Sequence, residues 1–186
     1  LENAASRADH LAIIDLDGGY VPRYDGQNGV EQDGSVSSTV TNLENRFLNN
    51  SYAAAYYPAV LLGDTINGGN LIVPPSIAGI GAIAASEAAS QPWFAPAGFN
   101  RGGLDPLGGP NGPRVLDTNE RLTKGLRDEL YAAKINPIAN FSAAGGIVVF
   151  GQKTLQLQQS ALDRINVRRL MIFIKKRIGA VARNLL

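Results

Sequence analysis

The chain has no cysteine and a single histidine among its 186 residues. The first absence excludes disulfides, thiolate zinc sites, iron–sulfur ligation and cysteine nucleophiles. The second excludes multi-histidine metal sites and leaves His10 as the sole imidazole. Charge is scarce as well. Asp, Glu, Lys and Arg make up 18% of the chain and the net charge is +1, which argues against wrapping nucleic acid by bulk charge. No apolar run approaches the ~18 residues that a membrane-crossing helix needs. What is present is a globular share of hydrophobic residues, 45%, too high for a charge-rich disordered chain. Glycine, at 21 residues, and proline, at 10, predict many turns.

The charge is polarised along the chain. Residues 1–33 hold seven acids against two bases, and residues 163–186 hold seven bases against one acid. Such a subunit can meet copies of itself or an acidic partner with complementary fields. A solvated helix face at one end and a polar loop at the other would account for the same pattern. The start, Leu1-Glu2-Asn3, has no methionine or signal-like segment. The end, Arg183-Asn184-Leu185-Leu186, has no helix stop. Together they lead to the expectation of a fragment of a longer protein.

Hydrophobic patterning predicts the elements. Leu11–Leu16 reads as a buried strand ending at Asp17-Gly18-Gly19, and 21–36 reads as a glycine-punctuated loop. Ser38–Asn50 has weak helical spacing. Ala53–Leu62 reads as a strand because Pro58 would break a helix. Leu71-Ile72-Val73 leads to a helix over Ile77–Ala89, for which Ser76 is the expected cap and whose small residues allow close packing on a sheet. Gln91–Pro113 is a long glycine- and proline-rich loop, the kind that marks function or a domain junction. A helix opened by Leu122-Thr123 is expected to end near Asn136-Pro137, followed by strands at 138–141 and 147–150 joined through Ala144-Gly145-Gly146, the second running on into a turn at 151–155. In the last segment Val167, Leu170, Met171, Ile174, Ile178, Val181 and Leu185 form one stripe, with most of the bases opposite. The expectation is an amphipathic basic helix with the stripe in the core and a second surface over Ile172 and Phe173.

Catalytic patterns are weak. His10 lies in a polar stretch, and no Gly-x-Ser-x-Gly turn accompanies it. Asp15 and Asp17 could form a carboxylate pair or bind a metal, although such aspartates more often cap a turn. Gly68-Gly69, Gly102-Gly103 and Gly108-Gly109 lack the Gly-Lys-Ser/Thr ending of a phosphate cradle and read as turns. Ala78-Gly79-Ile80-Gly81-Ala82 follows two prolines and lacks a third glycine in dinucleotide register. The basic helix has neither the interleaved aromatics of an RNA reader nor, apart from Phe173, the marginal aromatics of a membrane-surface helix.

Several uncommon motifs occur in a fixed order over residues 51–186: Ser51-Tyr52-Ala53-Ala54-Ala55-Tyr56-Tyr57-Pro58, Val73-Pro74-Pro75-Ser76, Ala78-Gly79, Trp93 with Ala95-Pro96-Ala97-Gly98, Leu122-Thr123, Ile135-Asn136-Pro137-Ile138, Gly146-Ile147-Val148-Val149-Phe150-Gly151, Thr154-Leu155 and Ile165-Asn166-Val167-Arg168-Arg169-Leu170. In these the chain resembles the contractile tail sheath proteins of bacteriophages and related injection or secretion machines. Phe150 stands where a tryptophan is usual and Lys153 where an arginine is usual; residues 1–50 match loosely. The family chain would continue past Leu186 with a Phe-Glu-Pro-Asn-like stretch and a C-terminal arm.

The resemblance implies a structural subunit without catalysis or cofactor. It would polymerise around a tail tube and meet baseplate and terminator proteins. On contraction it would drive the tube through a host envelope, located in the virion tail after assembly in host cytoplasm. The chain itself reads as two units, an α/β sheet flanked by helices over residues 1–112 and a smaller α+β unit over 113–186 ending in the basic helix; for the first the resemblance implies a subtilisin-like core without a triad. Terminal arms would join neighbours by strand addition, and a chain without arms would be monomeric. Arg168, Lys175, Lys176 and Arg183 are the candidate contacts to the tube or a neighbouring subunit. For Arg169 an internal ion pair is the competing expectation, for Trp93 packing beside a domain junction, and Tyr56 and Tyr57 are expected in the core. A carboxylate enzyme built on Asp15 and Asp17, and a basic-helix nucleic-acid binder, are the alternatives of another class.

Overall fold

A computed structural model describes residues 2–16, 36–63, 68–104, 115–141 and 146–185. Asp17, Gly18-Gly19, the 21–35 loop, Gly108-Gly109 and the Ala144-Gly145 link lie outside the described residues. In chain order the elements are α1 (Glu2–Arg7), β1 (Ala12–Ile14), α2 (Val36–Glu44), β2 (Ala53–Tyr57), β3 (Val60–Gly63), β4 (Asn70–Val73) and α3 (Pro75–Ala89). They continue with β5 (Gly103–Leu104), β6 (Val115–Thr118), α4 (Lys124–Ala132), β7 (Ile135–Phe141), β8 (Gly146–Val149), a short turn of 3-10 helix at Ala161–Asp163 and α5 (Ile165–Leu185).

A five-stranded mixed sheet runs β1-β2-β7-β8-β5, and a three-stranded antiparallel sheet runs β4-β3-β6. In the larger sheet β1, β2 and β7 are parallel, while β8 and β5 are antiparallel to their neighbours. β2 is buried along its whole length because helices cover both faces. Ala54 and Tyr56 point into one core with Ala78 and Ala82 of α3. Ala53, Ala55 and Tyr57 point into the other with Val36 and Leu43 of α2 and Leu130 of α4. Strand alternation thus sorts one apolar run into two layers. The small face of α3 allows close approach: a Cβ on Gly79 would lie 2.7–2.9 Å from the Tyr56 ring.

Strands from both sides of residue 112 share each sheet. β7 pairs with β2, β8 with β5, and β6 with β3. The expected division into 1–112 and 113–186 therefore runs through paired strands, because the ladder between β2 and β7 needs both halves of the chain. The expected single strand over 53–62 is two. At Pro58, which has no N–H for a ladder, the chain passes from the larger sheet to the smaller.

Two helix boundaries differ from expectation. Helix α3 begins at Pro75, a residue suited to the first turn because its missing N–H is not needed there. Ser76 is inside the helix and does not cap it. Its backbone N–H and its Oγ both donate to the Asp15 carboxylate, at 3.0 and 2.8 Å, so the capping acid comes from the end of β1. Helix α4, capped as expected by Thr123, stops at Ala132, well before Pro137. Lys134 adopts a φ of +67° and turns the chain out of the helix. Lys153 then donates from Nζ to the Tyr131 carbonyl at 2.7 Å, a cation at the helix C-terminus. Burial, reinforced by Lys134 and Arg164, lowers the Lys153 pKa.

Asp15→Ala should lower stability by about 1 kcal/mol, the usual worth of a helix cap. Asp15→Asn, which keeps one acceptor, should recover part of that. Thermal unfolding of the three proteins checks this, and an unchanged midpoint for the alanine variant would contradict the cap.

Candidate interaction surface

Helix α5 carries the basic residues singled out from the sequence, and its root shows what each can do. Arg168 is only 7% exposed. Its Nη2 donates to Ser51 Oγ, and its guanidinium stacks 4.0 Å from the centre of the Tyr52 ring. Arg168 is thus an internal tie between α5 and the residues that lead into β2, which corrects its expected place on a contact surface: the Tyr52 ring and the Ser51 hydroxyl hold the planar cation inside the fold. Arg169 ion-pairs Glu87 of α3 at 2.5 Å, the internal pair weighed for it above.

The other three candidates are exposed. Lys175 Nζ donates to the Arg7 carbonyl at the C-terminal end of α1, at 2.9 Å. Arg183 Nε donates to Gly179 O within its own helix at 3.2 Å. Lys176 lines a cleft of about 300 Å³ with His10, Leu11, Glu87, Arg169 and Phe173. At its rim the Asp9 carboxylate accepts from Arg7 and contacts His10. The hydrogen bond from Arg7, then that from His10, holds the Asp9 pKa at about 2. Among the described residues Lys175, Lys176, Arg177 and Arg183 have no acidic partner at ion-pair distance.

Four members of the apolar stripe are not in the core. Met171, Ile174, Ile178 and Val181 are 48, 39, 64 and 59% exposed. The side of α5 facing the body carries Arg169, Ile172 and Phe173, and Phe173 meets Trp93 edge-to-face at 5.3 Å. Helical periodicity identified the apolar stripe of α5 but placed it wrongly: Arg168 and Arg169 anchor the root and leave the stripe outward, while Phe173 is covered by a second surface at Trp93, as expected.

Among the described residues no three His, Asp or Glu side chains group as metal ligands, and Asp15 is occupied with α3. Nor is any described helix long and apolar enough to cross a membrane. Sequence reasoning missed the role of Asn136, whose amide ties β7 to the Ala55 carbonyl and to both backbone groups of Lys153. Its only signal was membership of the Ile135-Asn136-Pro137-Ile138 motif.

No family model matches the chain. The chain is 42% identical over 120 residues, 64% of its length, to the tail sheath protein of Vibrio phage KVP40. It is 35% identical over 116 residues, 62% of its length, to the tail sheath protein of Enterobacteria phage T4. The matched stretch is 16% of each relative's own length. Among solved structures it is similar to the helical sheath of the anti-feeding prophage in its contracted state, with a TM-score of 0.58 and 28% identity, covering 74% of this chain and 34% of that one. On sequence and fold together, the chain is a homologue of part of the bacteriophage tail sheath protein, the family that its motifs resemble.

Proposed function

We propose that the chain is a structural segment of a contractile sheath subunit, which works by repacking against its own copies and performs no catalysis. The observation that carries this reading is the 42% identity to a tail sheath protein over most of the chain. The mixed sheet with helices on both faces is, in this reading, the subtilisin-like sheath core without its triad. Copies of the subunit, the tail tube, the baseplate and the terminator are its partners. It sits in the virion tail after assembly in host cytoplasm.

The structure offers features suited to such a subunit. Heterologous contacts between identical subunits generate open helical arrays. β4 lies at the edge of its sheet, with Leu71 and Ile72 exposed, and an apolar edge strand accepts a further strand through main-chain hydrogen bonds. Lys175, Lys176 and Arg183 present charge without a counter-ion among the described residues, suited to an acidic surface of the tube or a neighbour.

Reversing Lys175 and Lys176 to glutamate in the full-length protein should abolish tube formation. It should shift unfolding stability by no more than about 0.5 kcal/mol, as expected for exposed sites. Electron microscopy of the assembled protein, beside a denaturant titration, checks both. Striated tubes of wild-type length and number would refute the role of these lysines, and a full-length wild-type protein that never polymerises would refute the sheath reading.

A further inference from the structure

Four polar side-chain atoms on β2, α3 and α5 are sealed from solvent and have no hydrogen-bond partner among the described residues. They are Tyr56 Oη, Ser86 Oγ, Asn166 Oδ1 and Arg169 Nη1. The packing of the three elements draws them together. The Tyr56 ring lies against α3 at Gly79, where an added Cβ would be 2.7 Å from it. Ser86 belongs to the same buried face of α3, two turns further on. Arg169 pairs Glu87 at 2.5 Å through Nη2, which sets its guanidinium beside Ser86. Its charge also acts on the Tyr56 phenol. Asn166 stands one turn before Arg169 on the same side of α5. A serine inside a helix commonly bonds back to the carbonyl four residues earlier, yet the Ser86 hydroxyl makes no such bond. Buried polar groups that the protein leaves unpaired are the usual partners of ordered internal water.

We propose that an ordered internal water binds between β2, α3 and α5, accepting from Tyr56 Oη and Arg169 Nη1 and donating to Ser86 Oγ and Asn166 Oδ1. The chemistry of the four atoms selects this ligand. A guanidinium nitrogen only donates and an amide oxygen only accepts. Burial pushes the Tyr56 pKa up, against a smaller opposing effect of Arg169, so the phenol keeps its proton and donates. The Ser86 hydroxyl can take either role and supplies the second acceptor. Two donors and two acceptors match the two lone pairs and two protons of one water. An anion fits worse, because the Asn166 oxygen would face it and Glu87 already meets the Arg169 charge. An apolar ligand would leave all four atoms unpaired. Arg169 then holds the body with both arms, one on Glu87 and one on the water. This site lies within one subunit and does not depend on the sheath reading.

The test is a crystal structure of the chain at a resolution that shows ordered waters, beside magnetic relaxation dispersion of the solvent, which counts long-lived internal waters. A peak is expected about 2.7–3.2 Å from both Tyr56 Oη and Arg169 Nη1. Tyr56→Phe combined with Ser86→Ala should remove that peak and lower the count of long-lived waters by one. Each single variant should shift the folding equilibrium about fivefold, a typical worth for one hydrogen bond. The double variant should shift it by clearly less than the product of the two, because both act through the same water. The wild-type map decides the proposal whatever the variants do. Direct hydrogen bonds among the four side chains, or no peak between them, would overturn it. So would a bromide ion replacing the peak in crystals soaked in bromide, which would make the site an anion site. Strictly multiplicative effects of the two variants would also count against a shared water.

Discussion

Replacing Gly102 with alanine should be among the most damaging single changes in this chain, lowering stability by about 3–5 kcal/mol, out of a total that for most domains is only about 5–15 kcal/mol. The reason is backbone crowding. A Cβ at this position would sit 2.4 Å from the Val149 carbonyl oxygen and 2.8 Å from Ala97 Cα. Neither is the end of a flexible side chain, so relief requires moving the strand. That strand is held in place: Val149 N–H donates to Gly102 O at 2.8 Å, Gly98 N–H donates to Val149 O at 2.9 Å, and Gly102 N–H donates to Gly98 O at 2.7 Å. Alanine would force these bonds apart and leave buried peptide groups unpaired. Gly103→Ala is the control, because its nearest contact would be an ordinary 3.8 Å to Phe99 O. Urea unfolding should show Gly103→Ala within about 1 kcal/mol of the parent protein. Equal midpoints for the two variants would show that the 98–102 segment yields.

Asn136→Ala should cost about 3 kcal/mol, through three hydrogen bonds lost together and the polar groups left behind, each bond worth roughly 1 kcal/mol net and each orphaned buried group more. Asn136 is fully buried in β7. Its Nδ2 donates to Ala55 O at 3.0 Å and to Lys153 O at 2.8 Å, and its Oδ1 accepts from Lys153 N–H at 2.6 Å. One side chain thus closes the β2–β7 pair and pins the extended segment after β8. Asn136→Asp is nearly isosteric and should be no better. It replaces the donor by an oxygen that faces two carbonyl oxygens, and it brings a charge into the interior. Denaturant unfolding of both variants checks the size, and hydrogen exchange at 151–155 checks the place. An aspartate variant as stable as the parent would show that the amide donor is not what holds the segment.

Local chemistry explains which readings survived comparison with the structure. Pro58 excludes a helix interior wherever it occurs, so 53–62 was legible as extended chain. Thr123 caps α4 through its own neighbour three residues on, which is visible in sequence. The small face of α3 marks close packing whatever it packs against, and Tyr56 proved to be the contact. Asp15 was legible as a capping residue in kind, yet the helix it caps begins 60 residues later, at Pro75. No local pattern encodes that distance. The end of α4 was misjudged because Pro137 is a visible stop, whereas the left-handed Lys134 that ends the helix first is an ordinary-looking lysine.

By itself the sequence determined the kinds of most elements, though not of α1, β5 or β6, the chemistry excluded by the lack of cysteine and the single histidine, and, through its ordered motifs, kinship with tail sheath proteins. All of these depend on residue identity or on neighbours within a turn or two. Only the tertiary structure decided which side of α5 meets the body. Periodicity separates an apolar face from a basic one but does not orient either, and the orientation follows from Arg168 reaching Ser51 and Tyr52 and Arg169 reaching Glu87, across 117, 116 and 82 residues of chain. The same kind of long-range pairing joined β2 to β7 and made one sheet of segments on either side of the long 91–113 loop, which read as two units from the sequence alone.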